Sequence, residues 1–214
     1  YVIDKNGVVF GAVYDDEFKV HHTLATSKEQ IKPMQGAKYV QSTIGNTFQM
    51  IEKELKCGKL VLFSGTPCQC AGLRNYLGKE YSKLILVDLV CHGIPSLKAW
   101  ENYIKSRALH ENGGIYPKRI NMRSKSSGWS MYAYSSEFDY DKGKITHIEF
   151  SKDPFLQAFT KDICLRNSCT NCCAKGLERC TDFTLGDYWG VWDQHPEWDD
   201  NKGVSLVLVH TEGA

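Results

Sequence analysis

No stretch of this chain approaches the roughly 20 consecutive apolar residues that a helix needs to cross a bilayer, so the sequence predicts no membrane insertion. Charge of one sign is also scarce. Lys and Arg number 26 against 25 Asp and Glu, a formal net charge of +1. No basic stripe is therefore available to neutralise a row of phosphates, and nucleic acid is not an expected partner. The opening YVIDKNGVVF lacks the charged and apolar regions of a secretory signal, which points to the cytoplasm. The start without Met and the close in VHTEGA both read as continuing segments. Three signatures are missing as well: a GxGxxG opening a helix, a phosphate loop ending in GK[ST], and HExxH. Their absence argues against an ordinary dinucleotide site and against a zinc protease.

What is present suits one substantial core. At 24.3 kDa, 42% hydrophobic and 12% aromatic, a folded chain should expose roughly 10,000 Å² of about 35,000 Å² extended. Globular and soluble is the expected class. Cysteine is the abundant exception, with nine: Cys57, Cys68, Cys70, Cys91, Cys164, Cys169, Cys172, Cys173 and Cys180. An odd number with one adjacent pair and no export signal favours metal or redox chemistry over a disulfide framework.

The pattern along the chain predicts an α/β fold: a mixed sheet with a parallel βαβ core, an antiparallel β-rich subdomain and a Cys-rich C-terminal segment. Residues 1–26 alternate apolar and polar side chains and read as an antiparallel meander, with Asn6-Gly7 suited to a tight hairpin turn. A linker-like stretch follows, with Tyr39 and Val40 expected to pack. Residues 47–57 read as a helix stopped by Gly58. KLVLFSG and KLILVDLVC read as strands buried on both faces, joined by a helix with Cys70, Leu73 and Leu77 on its core side. A third helix places Leu97, Trp100 and Ile104 on one face. Beyond Asn112, RINMRS, WSMYAYSSEFDY and KITHIEF read as antiparallel strands, DPFLQAFTKDI as a helix, and GVSLVLVHT as a last buried strand. The division is 1–111, an α/β part carrying the TPCQ and CHG turns, and 112–214, a β-rich part with the cysteine cluster, within what can be one compact unit.

Ligands of open α/β sheets sit beyond the carboxyl ends of the strands, and both SGTPCQ and DLVCHG lie at such ends. If those strands are neighbours, Cys68, Cys91 and His92 share one rim. Pro67 suits the first position of a helix and Thr66 its cap, which puts Cys68 in the first turn, where free amides favour a thiolate. The plainer reading has Cys68 filling a small buried space. Cys70 and Cys57 read as packing residues. In CLRNSCTNCCAKGLERC, Cys164, Cys169 and Cys172 have a C-x4-C-x2-C spacing that can gather thiolates around iron-sulfur or zinc. Asp88 sits inside an apolar strand, either serving a ligand or tying down a loop. Arg123, Lys125 and Trp129 either meet an anionic cofactor tail or form a solvated hairpin end. His21 and His22 read as ordinary strand residues, and Trp189 and Trp192 as core.

Taken in order, GAKYVQS, LFSGTPCQCAGL, DLVCHGIPS, CLRNSCTNC and TLGDYWG resemble the coenzyme F420 hydrogenase/dehydrogenase beta-subunit family from about Gly11 to Thr211. The resemblance implies an iron-sulfur flavoprotein oxidoreductase. It would bind FAD and at least one 4Fe-4S cluster and pass electrons between an iron-sulfur carrier and a small-molecule hydride acceptor. By resemblance, Lys38, Tyr39, Gln41, Ser42, Gly65, Thr66, Pro67 and Gln69 line the flavin, with His92 and Gly93 nearby and Arg123 and Lys125 toward its tail. Cys68, Cys91, Cys169 and Cys172 are the expected cluster ligands, with Cys164 as substitute; His92 and Asp88 are the expected catalytic groups. Members commonly carry an upstream ferredoxin-like segment with its own cysteines, which this chain lacks, so a ferredoxin-like carrier or partner subunit is expected. Two other readings remain open: a zinc-stapled, non-catalytic interaction domain, and a nucleophilic enzyme using Cys68 and His92.

Overall fold

The computed structural model describes residues 1–129 and 133–211. Its elements are β1 (Val8–Tyr14), β2 (Val20–Ala25), α1 (Lys28–Ile31), β3 (Ser42–Thr43), α2 (Thr47–Lys56), β4 (Val61–Ser64), α3 (Pro67–Leu77), β5 (Leu84–Leu89), α4 (Leu97–Asn112), β6 (Arg119–Ser124), β7 (Ser135–Asp139), β8 (Ile145–Glu149), α5 (Pro154–Thr160), α6 (Asn167–Thr170), β9 (Phe183–Asp187), α7 (Val191–Gln194) and β10 (Ser205–Val209). Seven strands form one mixed sheet in the order β10-β9-β5-β4-β1-β2-β3, and β6-β7-β8 form a separate antiparallel sheet. Both halves of the sequence contribute strands to the larger sheet.

In the larger sheet β1, β4, β5 and β9 are mutually parallel and follow one another across it in chain order. Right-handed crossovers between successive parallel strands then place every connection on the same face. Burial agrees. Val8, Phe10, Val61, Phe63, Leu84 and Leu86 form one core with Ile51 and Leu55 of α2 and Leu73 and Leu77 of α3. The opposite side chains of β4 and β5, Leu62, Ile85 and Val87, are only half-buried, and Leu89 is exposed. The expectation of strands buried on both faces therefore fails, because winding in one direction covers one face. The last strand is likewise an open edge, with Val207 50% and Val209 60% exposed.

Four local expectations also change. Asn6 closes a short 3-10 turn in the left-handed region (φ 58) before β1 begins, so the hairpin turn lies instead at Asp15, whose carboxylate accepts from the Glu17 and Lys19 amides at 2.9 and 2.8 Å. Leu97 is exposed while Trp100 and Ile104 of α4 are buried, because Leu97 opens the helix, beside its Ser96 cap. The β5 strand ends at Leu89, so Cys91 lies in the following turn. Of the strand expected over WSMYAYSSEFDY, only Ser135–Asp139 is one; residues 130–132 lie outside the described residues.

A second core lies between the two sheets, built from Trp100, Tyr103 and Ile104 of α4, Phe138 of β7, and Phe155 and Leu156 of α5. Asp153 organises it. This fully buried carboxylate caps α5 by accepting from the Phe155 and Leu156 amides at 2.9 and 3.2 Å. It also accepts from the hydroxyls of Tyr103 and Ser136 at 2.9 and 2.6 Å. Every lone-pair direction of a buried charge is thereby used, which is the condition for tolerating it there.

Candidate functional site at the sheet rim

Because β4, β5 and β9 are parallel neighbours, the turns that leave their carboxyl ends open onto one rim. At the first turn Pro67 begins α3 behind its Thr66 cap, so Cys68 stands exposed in the first helical turn, its sulfur 3.2 Å from the Thr66 hydroxyl. Gln69 locks the turn. Its side-chain oxygen accepts from the Thr66 amide and hydroxyl at 3.0 and 3.1 Å, and its nitrogen donates to the Ser42 carbonyl at 3.2 Å. Gly65 donates to Val87 O at 3.1 Å, and a side chain there would lie 2.9 Å from the Phe63 ring. The Gly65 and Thr66 amides are thus engaged within the protein.

The second turn meets the Cys-rich segment through backbone pairing. Pro95 bridges Leu165, Ser96 N–H donates to Cys164 O at 2.7 Å, and Arg166 N–H donates to Ile94 O at 2.9 Å. Gly93 faces the Leu165 side chain, which a Cβ would approach to 2.9 Å. This pairing leads directly into α6, which carries Cys169. Burial pushes the Cys91 thiol up to about 11, with the Gly93 amide opposing and Cys68, Cys169 and Cys172 raising it further. Cys164 contributes its carbonyl to this junction, and burial raises its thiol. All nine cysteines are free. Among the described residues no group of three or more His, Cys, Asp or Glu side chains is closed to metal-ligating spacing. The donor set of Cys68, Cys91, Cys169 and Cys172 is wholly sulfur, which fits thiolate-bound iron-sulfur or zinc once drawn together.

Further groups are linked to the second turn through His92, the chain neighbour of Cys91. His92 donates from Nε2 to Asp162 Oδ1 at 2.7 Å and toward Phe159 O at 3.3 Å, with its ring edge-on to Phe159 at 4.9 Å. Asp162 holds a left-handed backbone, φ 62, uncommon for a side-chain-bearing residue. The Tyr39 ring packs against Phe159 at 4.8 Å, and burial raises its phenol, partly opposed by Arg123. Arg123 donates from Nη1 to Tyr39 Oη at 3.1 Å and to Asp187 at 2.7 Å. Its guanidinium lies 4.4, 4.6 and 5.4 Å from the rings of Trp129, Tyr134 and Trp189.

Other candidates stand apart from this group or are spent on the fold. Lys38 donates to Met34 O, Gln35 O and Gly36 O at 3.1, 3.1 and 3.3 Å, and burial pulls its ammonium down to about 8. Lys125 donates to Lys202 O and lies over Trp129 at 4.7 Å. Gln41 is half-buried just before β3. Asp88 points to the α3 side of the sheet. It is 2% exposed, accepts from the Thr184 hydroxyl, and stands 3.9 Å from Arg179. That hydroxyl also meets His210 Nε2 at 2.8 Å. Cys70 is fully buried, and burial followed by Asp88 and Cys180 raises its thiol.

His22, Asp162, Phe159 and Asp187 are site residues that sequence reasoning missed. His22 joins the two stretches assigned to the flavin: Nε2 donates to Ser64 O at 2.9 Å, leaving Nδ1 to accept from the Ser42 hydroxyl at 2.7 Å. Alternation in β2 would have marked it as inward-facing. Burial holds its imidazole below the ordinary 6.5, with the Ser64 bond opposing. The unfolded chain therefore binds this proton more readily, so His22 contributes stability that is full above the unfolded value and lost as pH falls below it. The urea midpoint should drop between about pH 7.5 and 5.5, and His22→Gln should flatten that drop; equal drops in both proteins would contradict this role.

Arg123 makes a second test. Arg123→Lys keeps the charge but loses the flat stack and the paired contacts, at an expected cost of about 1–2 kcal/mol. Denaturant unfolding followed by tryptophan fluorescence measures it, and an unchanged midpoint would show that the aromatic cage stands without the guanidinium.

The fold has a solved counterpart in a xenon-derivatised structure of the F420-reducing [NiFe] hydrogenase complex from Methanosarcina barkeri. The match has a TM-score of 0.61 at 16% identity and covers 99% of this chain. This chain spans 66% of that chain's length, just under two thirds. Comparison with curated proteins gives no match. Residues 58–214, which carry both rim turns and all the later cysteines, match the family described as the C terminus of the coenzyme F420 hydrogenase/dehydrogenase beta subunit, and the chain belongs to that family.

Proposed function

We propose that this chain is the electron-transferring part of an iron-sulfur flavoprotein oxidoreductase, passing electrons between an iron-sulfur carrier and a small-molecule hydride acceptor. The observation that carries the reading is the parallel order of β4, β5 and β9, which opens the Cys68 and Cys91 turns onto one rim, together with the backbone pairing that ties the Cys164–Arg166 stretch to the second turn. In this reading Cys68, Cys91, Cys169 and Cys172 hold a 4Fe-4S cluster, and the 38–42 and 65–69 stretches flank FAD. The hydrogen bond from Gln69 to Ser42 supports assigning those two stretches to one group. Bound there, the cluster supplies single-electron transfer and the flavin supplies hydride chemistry.

The chain's own residues do the rest. Thr66 and Gln69 fix the direction of the first turn, and the pairing of Ile94–Ser96 with Cys164–Arg166 holds the Cys-rich segment to the second. His92, with Nε2–H directed to Asp162, presents Nδ1 as the nitrogen free to take or give a proton. Tyr39 and Phe159 supply an aromatic wall that excludes water. A ferredoxin-like carrier or partner subunit is the proposed electron source, and the family's name makes a deazaflavin one candidate acceptor.

Anaerobically purified protein should show a broad visible absorption that dithionite bleaches, and heat should release flavin. A colourless protein would overturn the reading. The zinc-stapled alternative assigns no task to Cys68 and Cys91, so a Cys68→Ser, Cys91→Ser variant that kept its full metal content would favour it.

A further inference from the structure

The first turn of the rim places one hydroxyl between two acceptors. Thr66 Oγ1 lies 3.2 Å from Cys68 Sγ and 3.1 Å from Gln69 Oε1, and it has a single proton to give. Among the described residues Cys68 is the one rim cysteine whose sulfur has a side-chain hydrogen-bond partner. No backbone amide of residues 65–67 is free for that sulfur. The Gly65 N–H is given to Val87 O, the Thr66 N–H to Gln69 Oε1, and Pro67 has none.

Which acceptor takes the hydroxyl proton depends on the sulfur. While Cys68 is a thiol, its S–H can donate to Thr66 Oγ1, and the hydroxyl donates to Gln69. A metal-bound thiolate has no proton left and only accepts, so the hydroxyl turns to it. Gln69 stays satisfied, because its Oε1 keeps the Thr66 amide at 3.0 Å and its Nε2 keeps Ser42 O at 3.2 Å. The oxygen itself stays where it is. Threonine is stiff at χ1 because of its second branch, and Thr66 is half-buried as the cap of α3.

Hydrogen bonds to the sulfurs are one lever by which a protein sets the potential of an iron-sulfur group, since the reduced form carries more negative charge for a donor to stabilise. We propose that Thr66 is a tuning residue of the rim centre: its hydroxyl donates to the Cys68 thiolate and raises the reduction potential of the iron-sulfur group that this thiolate holds. This role rests on the assignment of Cys68 as a cluster ligand. It gives the first turn a part in redox poise as well as in binding.

Potentiometric titration of the anaerobically purified full-length protein, followed by electron paramagnetic resonance of the reduced centre, compares the parent with Thr66→Val and Thr66→Ser. Thr66→Val keeps the branched shape and removes the donor. It should retain the parent's iron and sulfide. At the parent's midpoint potential its ratio of reduced to oxidised centre should fall about tenfold, a shift of about 59 mV for one electron. Thr66→Ser should restore most of that loss. A hydroxyl that served only to start α3 would change the denaturant midpoint and leave the potential alone, so an iron-loaded Thr66→Val with the parent's potential overturns the proposal. If Thr66→Val does not hold iron, the reduced parent decides by itself. Electron-nuclear double resonance before and after transfer to heavy water should show a rapidly exchanging hydroxyl proton coupled to the centre, and its absence overturns the proposal. A parent protein without iron and sulfide would remove the cluster assignment itself, and the role of Thr66 with it.

Discussion

Cys91→Ser should leave the protein folded and strip it of essentially all its iron and visible colour. Loss of an outer-shell partner of a metal ligand costs roughly 10–100-fold in affinity, and loss of a ligand itself should cost at least as much. Cys91 is the informative position because it is half-buried in the turn after β5, the turn to which the Cys164–Arg166 stretch is paired, and serine matches its size, so the effect falls on coordination rather than packing. Cys57→Ser, at an exposed helix end, serves as the control and should keep its full iron content. Iron and acid-labile sulfide assays on the two variants give the answer. Equal iron in both would remove Cys91 from the ligand set.

Arg179→Leu should destabilise the fold by about 3–5 kcal/mol, the usual cost of removing one partner of a buried ion pair. Asp88 is buried with one oxygen held by Thr184 and the other without a hydrogen-bond partner, facing Arg179 at 3.9 Å. Arg179 is itself anchored to Ala174 O at 2.6 Å. The pair therefore ties the Cys-rich segment to β5, and without the guanidinium the carboxylate remains buried and uncompensated. A double variant, Asp88→Leu with Arg179→Leu, should recover most of the loss, since buried pairs are often replaced by apolar groups at little cost. Denaturant unfolding of the three proteins tests both statements. A loss below about 0.5 kcal/mol, the range of ordinary surface substitutions, would show that water already screens the pair. A large one makes Asp88 a structural tie.

The sequence showed the local grammar of this molecule more fully than its winding. The β4–α3–β5 unit is legible from two apolar runs, the Thr66-Pro67 start and Gly78, whose left-handed φ of 63 closes α3. The Cys164–Cys172 spacing is likewise local. The half-open face of β4 and β5 was not legible, because a strand open on one side and a strand buried on both share the same apolar composition here. Only the order in which strands join the sheet separates them. The contacts of His22 with Ser42 and Ser64, of His92 with Asp162, and of Arg123 with Asp187 span 20, 42, 70 and 64 residues. Spacing rules have no purchase over such separations. Lys38 has a local role that its place beside a binding motif does not announce: its ammonium closes the turn that precedes it.

Metal analysis of the anaerobically purified full-length protein, set beside a Cys68→Ser, Cys91→Ser variant, measures most directly whether sulfurs from three segments form one redox centre. The expected result is about four iron and four sulfide per site in the parent protein, and near-zero iron in the variant. Stoichiometric zinc retained in both proteins would contradict it, leaving the later cysteines as a structural staple and the two rim thiols outside the centre.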